Sequence, residues 1–324
     1  MDIKEVTVSV SQELDTFRQR YKVALKSDNS LIDKVMRYIL KQQGKQVRPL
    51  LVMLGAKVCG GVADASYRAA IMVELLHSAT LVHDDVVDGA EMRRGLASIN
   101  AVWKNKIAVL IGDYMLSKGL LYSLDHKDYR SLHMVSDAVR RMSEGEILQI
   151  QKTRSLDISE EDYLKVISDK TASLLSTSCA MGGASVTDDE EKIEALRNYG
   201  EFLGLAFQIR DDLLDYTGDS NKTGKQLGID IQDKKITLPL IYALGQAERS
   251  EQKRIRSILK SSKKRAMKSG EVMDFVRKSG GLEYSSEVAE GFASKATAAL
   301  EVFDDSEARR SLELLVDFVM KRQH

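Results

Sequence analysis

The sequence predicts an all-α fold, and three observations carry that reading. Proline occurs only twice, at Pro49 and Pro239, where average usage of about 5% would give roughly sixteen. Both prolines open apolar runs, Pro49-Leu50-Leu51-Val52-Met53-Leu54 and Pro239-Leu240-Ile241-Tyr242-Ala243-Leu244. That is where a helix tolerates a missing N–H. Alternating strand patterns of useful length are absent, and apolar residues recur at helical spacing instead. We expect about ten to thirteen helices with short connections, packed as one domain over residues 1–324.

Composition excludes several classes. Lys+Arg and Asp+Glu both number 48, which argues against a general nucleic-acid binder. Cys59 and Cys179 make no disulfide framework, so a reducing cytoplasm is the expected setting. Met1-Asp2-Ile3-Lys4-Glu5-Val6 has neither the basic nor the apolar region of a signal peptide. No run of about 18 uncharged apolar residues is present, so no membrane span is expected.

Taken in order, residues 5–26 read as an amphipathic covering helix through Val6, Val8, Val10, Leu14, Phe17, Tyr21 and Val23. Leu31 to Gln43 is a second helix, stopped by Gly44. Gly44-Lys45-Gln46-Val47-Arg48-Pro49 is a basic turn feeding a helix that begins at the proline. Free N–H groups and cations at a helix start suit an anion; a plain basic surface loop reads the same way. Gly60-Gly61 closes that helix.

The next helix, Tyr67 to Asp88, organises the chain. It has no breaker, is apolar on nearly all sides and ends in Asp84-Asp85-Val86-Val87-Asp88. Residues four apart share a face, so Thr80, Asp84 and Asp88 form one stripe. Carboxylates one turn apart repel and resist desolvation, and a hard divalent cation removes both objections. An exposed acidic helix end is the simpler explanation of this motif taken alone. Arg93 and Arg94 follow in a short loop; they either pair with the aspartates or grip phosphate with their forked donors.

Asn105 to Leu124 is another strongly apolar helix, and Ser131 to Gln151 contains Glu144-Gly145-Glu146. Ser159 caps a helix that runs through Lys170-Thr171 to Met181. Lys170, beside small Thr171, Ala172 and Ser173, is expected to turn inward. Ile193 to Tyr216 repeats the earlier theme, placing Gly204, Gln208, Asp211 and Asp215 on one face. Two buried helices that both end in DDxxD are hard to explain as solvated termini. Facing each other across a bundle, they would make a polynuclear cation site. Residues 218–230 are polar and glycine-rich with lysines, as in a lid, and Lys234 to Pro239 restarts a helix. Helices at 251–267, 271–279, 283–301 and 305–322 read as an outer shell without evident chemistry.

These residues resemble the trans-isoprenyl diphosphate synthases, or polyprenyl synthetases, over nearly the whole chain. The matches come in family order: Gly44-Lys45-x-x-Arg48-Pro49, His77, Asp84-Asp85-x-x-Asp88 with Arg93-Arg94, Lys170-Thr171, Phe207-Gln208-x-x-Asp211-Asp212-x-x-Asp215, Lys225, and Lys235-x-Thr237-Leu238-Pro239. Gln46 and Lys234 depart from the common pattern without removing a residue of assigned role. The resemblance implies a helical bundle around a mostly apolar cavity and a head-to-tail condensation of isopentenyl diphosphate with an allylic diphosphate. Lys45, Arg48, His77 and Arg94 would bind isopentenyl diphosphate. Asp84, Asp88, Asp211 and Asp215 would hold three Mg2+ ions, supported by Asp85 and Asp212. Arg93, Lys170, Lys225 and Lys235 would hold the allylic diphosphate, with Thr171 and Gln208 beside the developing cation. A homodimer is implied, with loose membrane association for product release.

Ala79, with Thr80 beside it, stands where a bulky aromatic limits the product in short-chain members. Tyr114 and Met115 on the facing helix are the next candidates for a floor. We expect a C30 to C40 quinone side-chain precursor, with C20 as runner-up. A terpene cyclase would lack the Lys45/Arg48 pocket. A silent synthase subunit would have lost aspartates. A ferritin-like bundle would show paired Glu-x-x-His motifs.

Overall fold

The computed structural model describes residues 3–218 and 227–322. The chain is almost wholly helical, as expected. Helices α1 (Ile3–Thr7), α2 (Ser11–Ala24), α3 (Ser30–Lys41), α4 (Val47–Val58) and α5 (Asp64–Val87) come first. The covering helix expected over 5–26 is two pieces, because Val8–Val10 form a 3-10 turn. α4 starts two residues before Pro49, which still lies in the first turn.

A hairpin that the sequence did not suggest follows α5. Met92 pairs with Ala97 and Arg93 with Leu96. Its two turn residues, Arg94 (φ 51°) and Gly95 (φ 78°), both have the positive φ that tight hairpins require. α6 (Ile99–Asp125) is broken at Lys104 (φ 72°), so the helix expected from Asn105 is the part after the break. α7 (Tyr129–Ser155) leads to α8 (Glu160–Ile167), where the Ser159 hydroxyl accepts from the Asp162 N–H at 3.1 Å and the Asp162 carboxylate accepts from the Ser159 N–H at 3.0 Å. The chain then widens into a π-helical turn at Ser168–Ala172 before α9 (Ser173–Ala184) and α10 (Glu190–Thr217). Among the described residues the remaining helices are α11 (Ile229–Gln232), α12 (Leu238–Gln246), α13 (Arg249–Lys260), α14 (Ser262–Lys278), α15 (Gly281–Ala298) and α16 (Glu307–Met320).

The core follows from composition. α9 is buried along its length from Ser173 to Gly183 and packs against α4, α5, α7 and α10. α5 lies along α6. α10 reaches the π turn through Gly204, where a Cβ would lie 2.5 Å from Ala172 Cα. That close approach places the DDxxD end of α10 against Lys170 and Thr171. α6 is long and apolar enough to cross a membrane, yet only 33% of its most apolar window is buried. Val109, Leu110, Leu121 and Leu124 stand exposed on it.

Candidate active site

α10 separates two cavities. The first, of about 400 Å³, is lined by Lys45, Arg48, His77, Arg94 and Phe207. The C-terminal helix closes it with Leu315, Phe318 and Val319, and Arg322 lies just beyond. The last of the helices read as an outer shell thus lines a cavity. Lys45 Nζ sits 5.2 Å over the Phe318 ring. Arg94 reaches back across Gly44, donating to the Gln42 carbonyl at 2.8 Å. A Cβ on Gly44 would lie 2.6 Å from the Arg94 guanidinium carbon, so a larger residue there would push the Arg94 head group aside.

Arg48 Nη1 lies 3.1 Å from His77 Nε2. The guanidinium always donates, so His77 Nε2 accepts and its proton sits on Nδ1. Burial, then Arg48, Arg94 and Arg93, hold His77 well below its ordinary value. Burial also lowers Arg48 to about 10, opposed by Glu74. Glu74 is 5% exposed beside them, and burial raises its carboxyl. The Arg48 Nε is buried without a partner. The result is a pocket of cations around one imidazole and one buried carboxyl, suited to a polyvalent anion.

The second cavity, of about 210 Å³, is lined by Lys170, Thr171, Gln208, Asp211, Asp212 and Lys235, with Tyr163 and Asp230. The π turn presents Lys170, whose Nζ donates to Gln149 Oε1 at 2.8 Å and pairs with Glu146 at 2.5 Å. Thr171 Oγ1 donates to Gln208 Oε1 at 2.9 Å. Gln208 Nε2 donates to Asp212 at 2.9 Å, and Tyr163 donates to the other Asp212 oxygen at 2.7 Å. Burial, then Asp230, raises Asp212 to about 7. Lys235 stands 3.7 Å from Asp230, whose carboxyl burial and Asp215 raise to about 6.

The aspartates divide into two kinds. Asp85 is spent inside the protein: Arg93 Nε donates to both its oxygens at 2.9 and 3.3 Å, and Arg93 Nη2 donates again. Asp212 is spent on Tyr163 and Gln208. Asp215 accepts from the N–H groups of Ile229 and Asp230 at 3.1 and 3.0 Å, holding the start of α11. Asp84 and Asp88 carry no hydrogen bond or ion pair from a described side chain. Burial, then Glu146 and Asp88 against Lys170, raises the Asp84 carboxyl. Asp211 is met by Arg322 at 3.1 Å. Among the described residues no three carboxylates or imidazoles stand close enough to hold an ion by themselves. The uncommitted hard oxygens of Asp84 and Asp88 nonetheless fit a hard cation whose remaining ligands come from a bound anion. Lys225 lies outside the described residues.

Ala79 is 2% exposed and Met115 fully buried. The Thr80 hydroxyl donates to the His77 carbonyl at 2.8 Å. Tyr114 lines an outer cleft with Lys22, Arg37 and Lys118, and Lys118 Nζ donates to its hydroxyl at 3.2 Å. Sequence reasoning singled out neither Tyr163 nor Arg322. Tyr163 carries no motif signal, and Arg322 acquires its contact only when α16 folds back.

A model of the polyprenyl synthetase family matches residues 29–276. Octaprenyl diphosphate synthase of Escherichia coli (strain K12) is 35% identical over 324 residues, 99% of each chain. A decaprenyl diphosphate synthase from Rhodobacter capsulatus superposes with a TM-score of 0.93 at 32% identity, over 100% of both chains. A polyprenyl synthase from Caulobacter crescentus CB15, solved with calcium and isoprenyl diphosphate, gives a TM-score of 0.91 at 31% identity, over 100% of this chain and 98% of that one. With a cation-lined cavity on either side of α10, and with these likenesses running from end to end, the chain belongs to the polyprenyl synthetase family, the trans-isoprenyl diphosphate synthases.

Proposed function

We propose that this protein is a Mg2+-dependent prenyltransferase that joins isopentenyl diphosphate to an allylic diphosphate, making an all-trans C30 to C40 polyprenyl diphosphate for a quinone side chain. The observation that carries the reading is the pair of cavities astride α10, each with its own cations. One reaction that consumes two diphosphates needs both.

Lys45, Arg48, His77 and Arg94 would take the diphosphate of isopentenyl diphosphate, with Leu315, Phe318 and Val319 against its carbon skeleton. Lys170, Lys235, Arg93 and Lys225 would take the allylic diphosphate. Asp84, Asp88, Asp211 and Asp215 would hold Mg2+, three ions in all with substrate. Bound there, the ions supply charge neutralisation of the diphosphate leaving group. The allylic C1–O bond breaks, and its electron pair departs on the diphosphate. Lys170 and Lys235 stand where that negative charge grows. Thr171 and Gln208 offer oxygen lone pairs to the cation left behind, and the buried helix walls keep water from quenching it. C4 of isopentenyl diphosphate bonds to C1, and a C2 proton leaves to the departing diphosphate. No side-chain base is required.

The whole chain works as one domain in this reading. The exposed apolar residues of α6, with Tyr129, Ile147 and Ile150 of α7, suit burial against a second copy in a homodimer. A cytoplasmic enzyme with loose membrane contact at product release completes the proposal. Labelled isopentenyl diphosphate, a set of allylic primers and Mg2+ test it by product chromatography. Absence of labelled prenyl product with every primer would overturn it.

A further inference from the structure

We propose that Tyr163 is a positioning residue for the condensation, aiming the Thr171 hydroxyl oxygen at the allylic carbon through Asp212 and Gln208. The proposal rests on the functional reading above. The four side chains form one unbranched chain of hydrogen bonds: Tyr163 to Asp212 at 2.7 Å, Gln208 to Asp212 at 2.9 Å, and Thr171 to Gln208 at 2.9 Å. Tyr163 and Asp212 are 3% and 7% exposed, so water is a poor substitute for either partner.

The direction of each bond follows from the one before it. Tyr163 donates to one Asp212 oxygen. Gln208 turns its NH2 end to the other, the arrangement that ionised Asp212 requires, since a carboxylate only accepts. The carbonyl end of that amide therefore faces Thr171, and the Thr171 proton is committed to it. What remains on the Thr171 oxygen is lone pairs, in a cavity it shares with Lys170 and Asp211. An amide turned the other way would make Thr171 accept from Gln208 and point its own proton outward. A proton aimed at a carbocation repels it; a lone pair stabilises it. Tyr163 thus decides the sign of the dipole at the reacting carbon from three side chains away.

The test is a double-mutant cycle on Tyr163→Phe and Thr171→Val, with steady-state kinetics and thermal melting. Losing one hydrogen bond to a carboxylate predicts about a tenfold fall in kcat for Tyr163→Phe. Both KM values and the Mg2+ concentration at half-maximal rate should stay within about twofold, because nothing that grips diphosphate or metal is changed. In the Thr171→Val background the same substitution should cost less than about twofold, since the group it aims is gone. Equal losses in both backgrounds, an unchanged kcat, or a raised Mg2+ requirement would each overturn the proposal. If Tyr163→Phe melts below the assay temperature, the same cycle run at a temperature where every variant stays folded decides on the same readouts. Wild-type turnover in the same assay separates the two levels. Turnover with a silent Tyr163→Phe removes the positioning role alone, and no wild-type turnover removes both.

Discussion

Phe207 and Gln208, adjacent on α10, line different cavities. Phe207 faces the pocket of Lys45 and Arg48, and Gln208 faces the pocket of Lys170 and Lys235. One helix therefore separates the two cavities, and the proposed placing of one diphosphate in each has a kinetic signature. Lys45→Ala and Arg48→Ala should raise KM for isopentenyl diphosphate about tenfold, leaving KM for the allylic primer within about twofold. Lys235→Ala should do the reverse. A titration with the two effects exchanged would mean that the pockets are assigned the wrong way round.

Asp84 and Asp85 are neighbours with opposite duties. Asp85 is locked to Arg93, whereas Asp84 has no donor among the described side chains and sits near Glu146 and Asp88. Asp84→Ala and Asp211→Ala should each cost about 100-fold or more in kcat, the scale of losing transition-state charge stabilisation. Asp84→Ala should not lower the melting temperature of the metal-free protein at neutral pH. The folded pKa of Asp84 lies above its unfolded value, so its charged form opposes folding once pH exceeds that range. Turnover within a few-fold of wild type in Mg2+ would rule out the paired-helix metal site.

The helical skeleton and the motif residues were legible because they rest on local signals: period, caps, and acids at buried helix ends. The boundaries at Val47 and Asn105 were off by the length of a turn or a break, which composition does not mark. The hairpin at Met92–Ala97 is too short to alternate. The π turn at Ser168–Ala172 has no sequence period of its own. Arg322 was invisible for another reason: its contact with Asp211 joins helices far apart in the chain. Because Arg322 also lines the pocket of Lys45, Arg322→Ala should raise KM for isopentenyl diphosphate about three- to tenfold. An unchanged KM would restore α16 to a purely covering role.

His77 gives the pH dependence. Its folded pKa lies well below the ordinary 6.5 through burial and then Arg48, Arg94 and Arg93. The unfolded chain therefore takes up a proton near 6.5 that the folded chain refuses. Stability is full above that value and falls as pH drops below it, by at most about 1.4 kcal/mol per pH unit. His77→Asn cannot titrate and should lose less stability than wild type between about pH 7 and pH 5.5 in urea melts. Parallel losses in the two proteins would show that other groups carry the acid sensitivity.

The proposed control of product length lies where α5 meets α6. His83 of α5 packs on Gly112 of α6, and Leu75 and Met72 pack beside Gly119. The two helices run antiparallel, so Ala79 lies at the level of Met115. It shares the His83 face, four residues away. Ala79 also stands five residues before Asp84, about 7.5 Å down the helix axis. A tail growing away from the aspartates along this seam meets a methyl group there, then the flexible side chain of Met115, which can move aside. Tyr114 is turned into the outer cleft with Lys118, so Met115 is the stronger candidate for the next barrier. Ala79→Phe should place a ring across the seam and shorten the product to C15 or C20. The first condensation should survive, because no group that holds either diphosphate is altered. Overpacking a buried site should also cost about 1–3 kcal/mol in stability, so product analysis belongs well below the melting temperature. Thin-layer chromatography of the dephosphorylated products reads the outcome. The same long chain from Ala79→Phe as from wild type would mean that the tail takes a different path through the bundle.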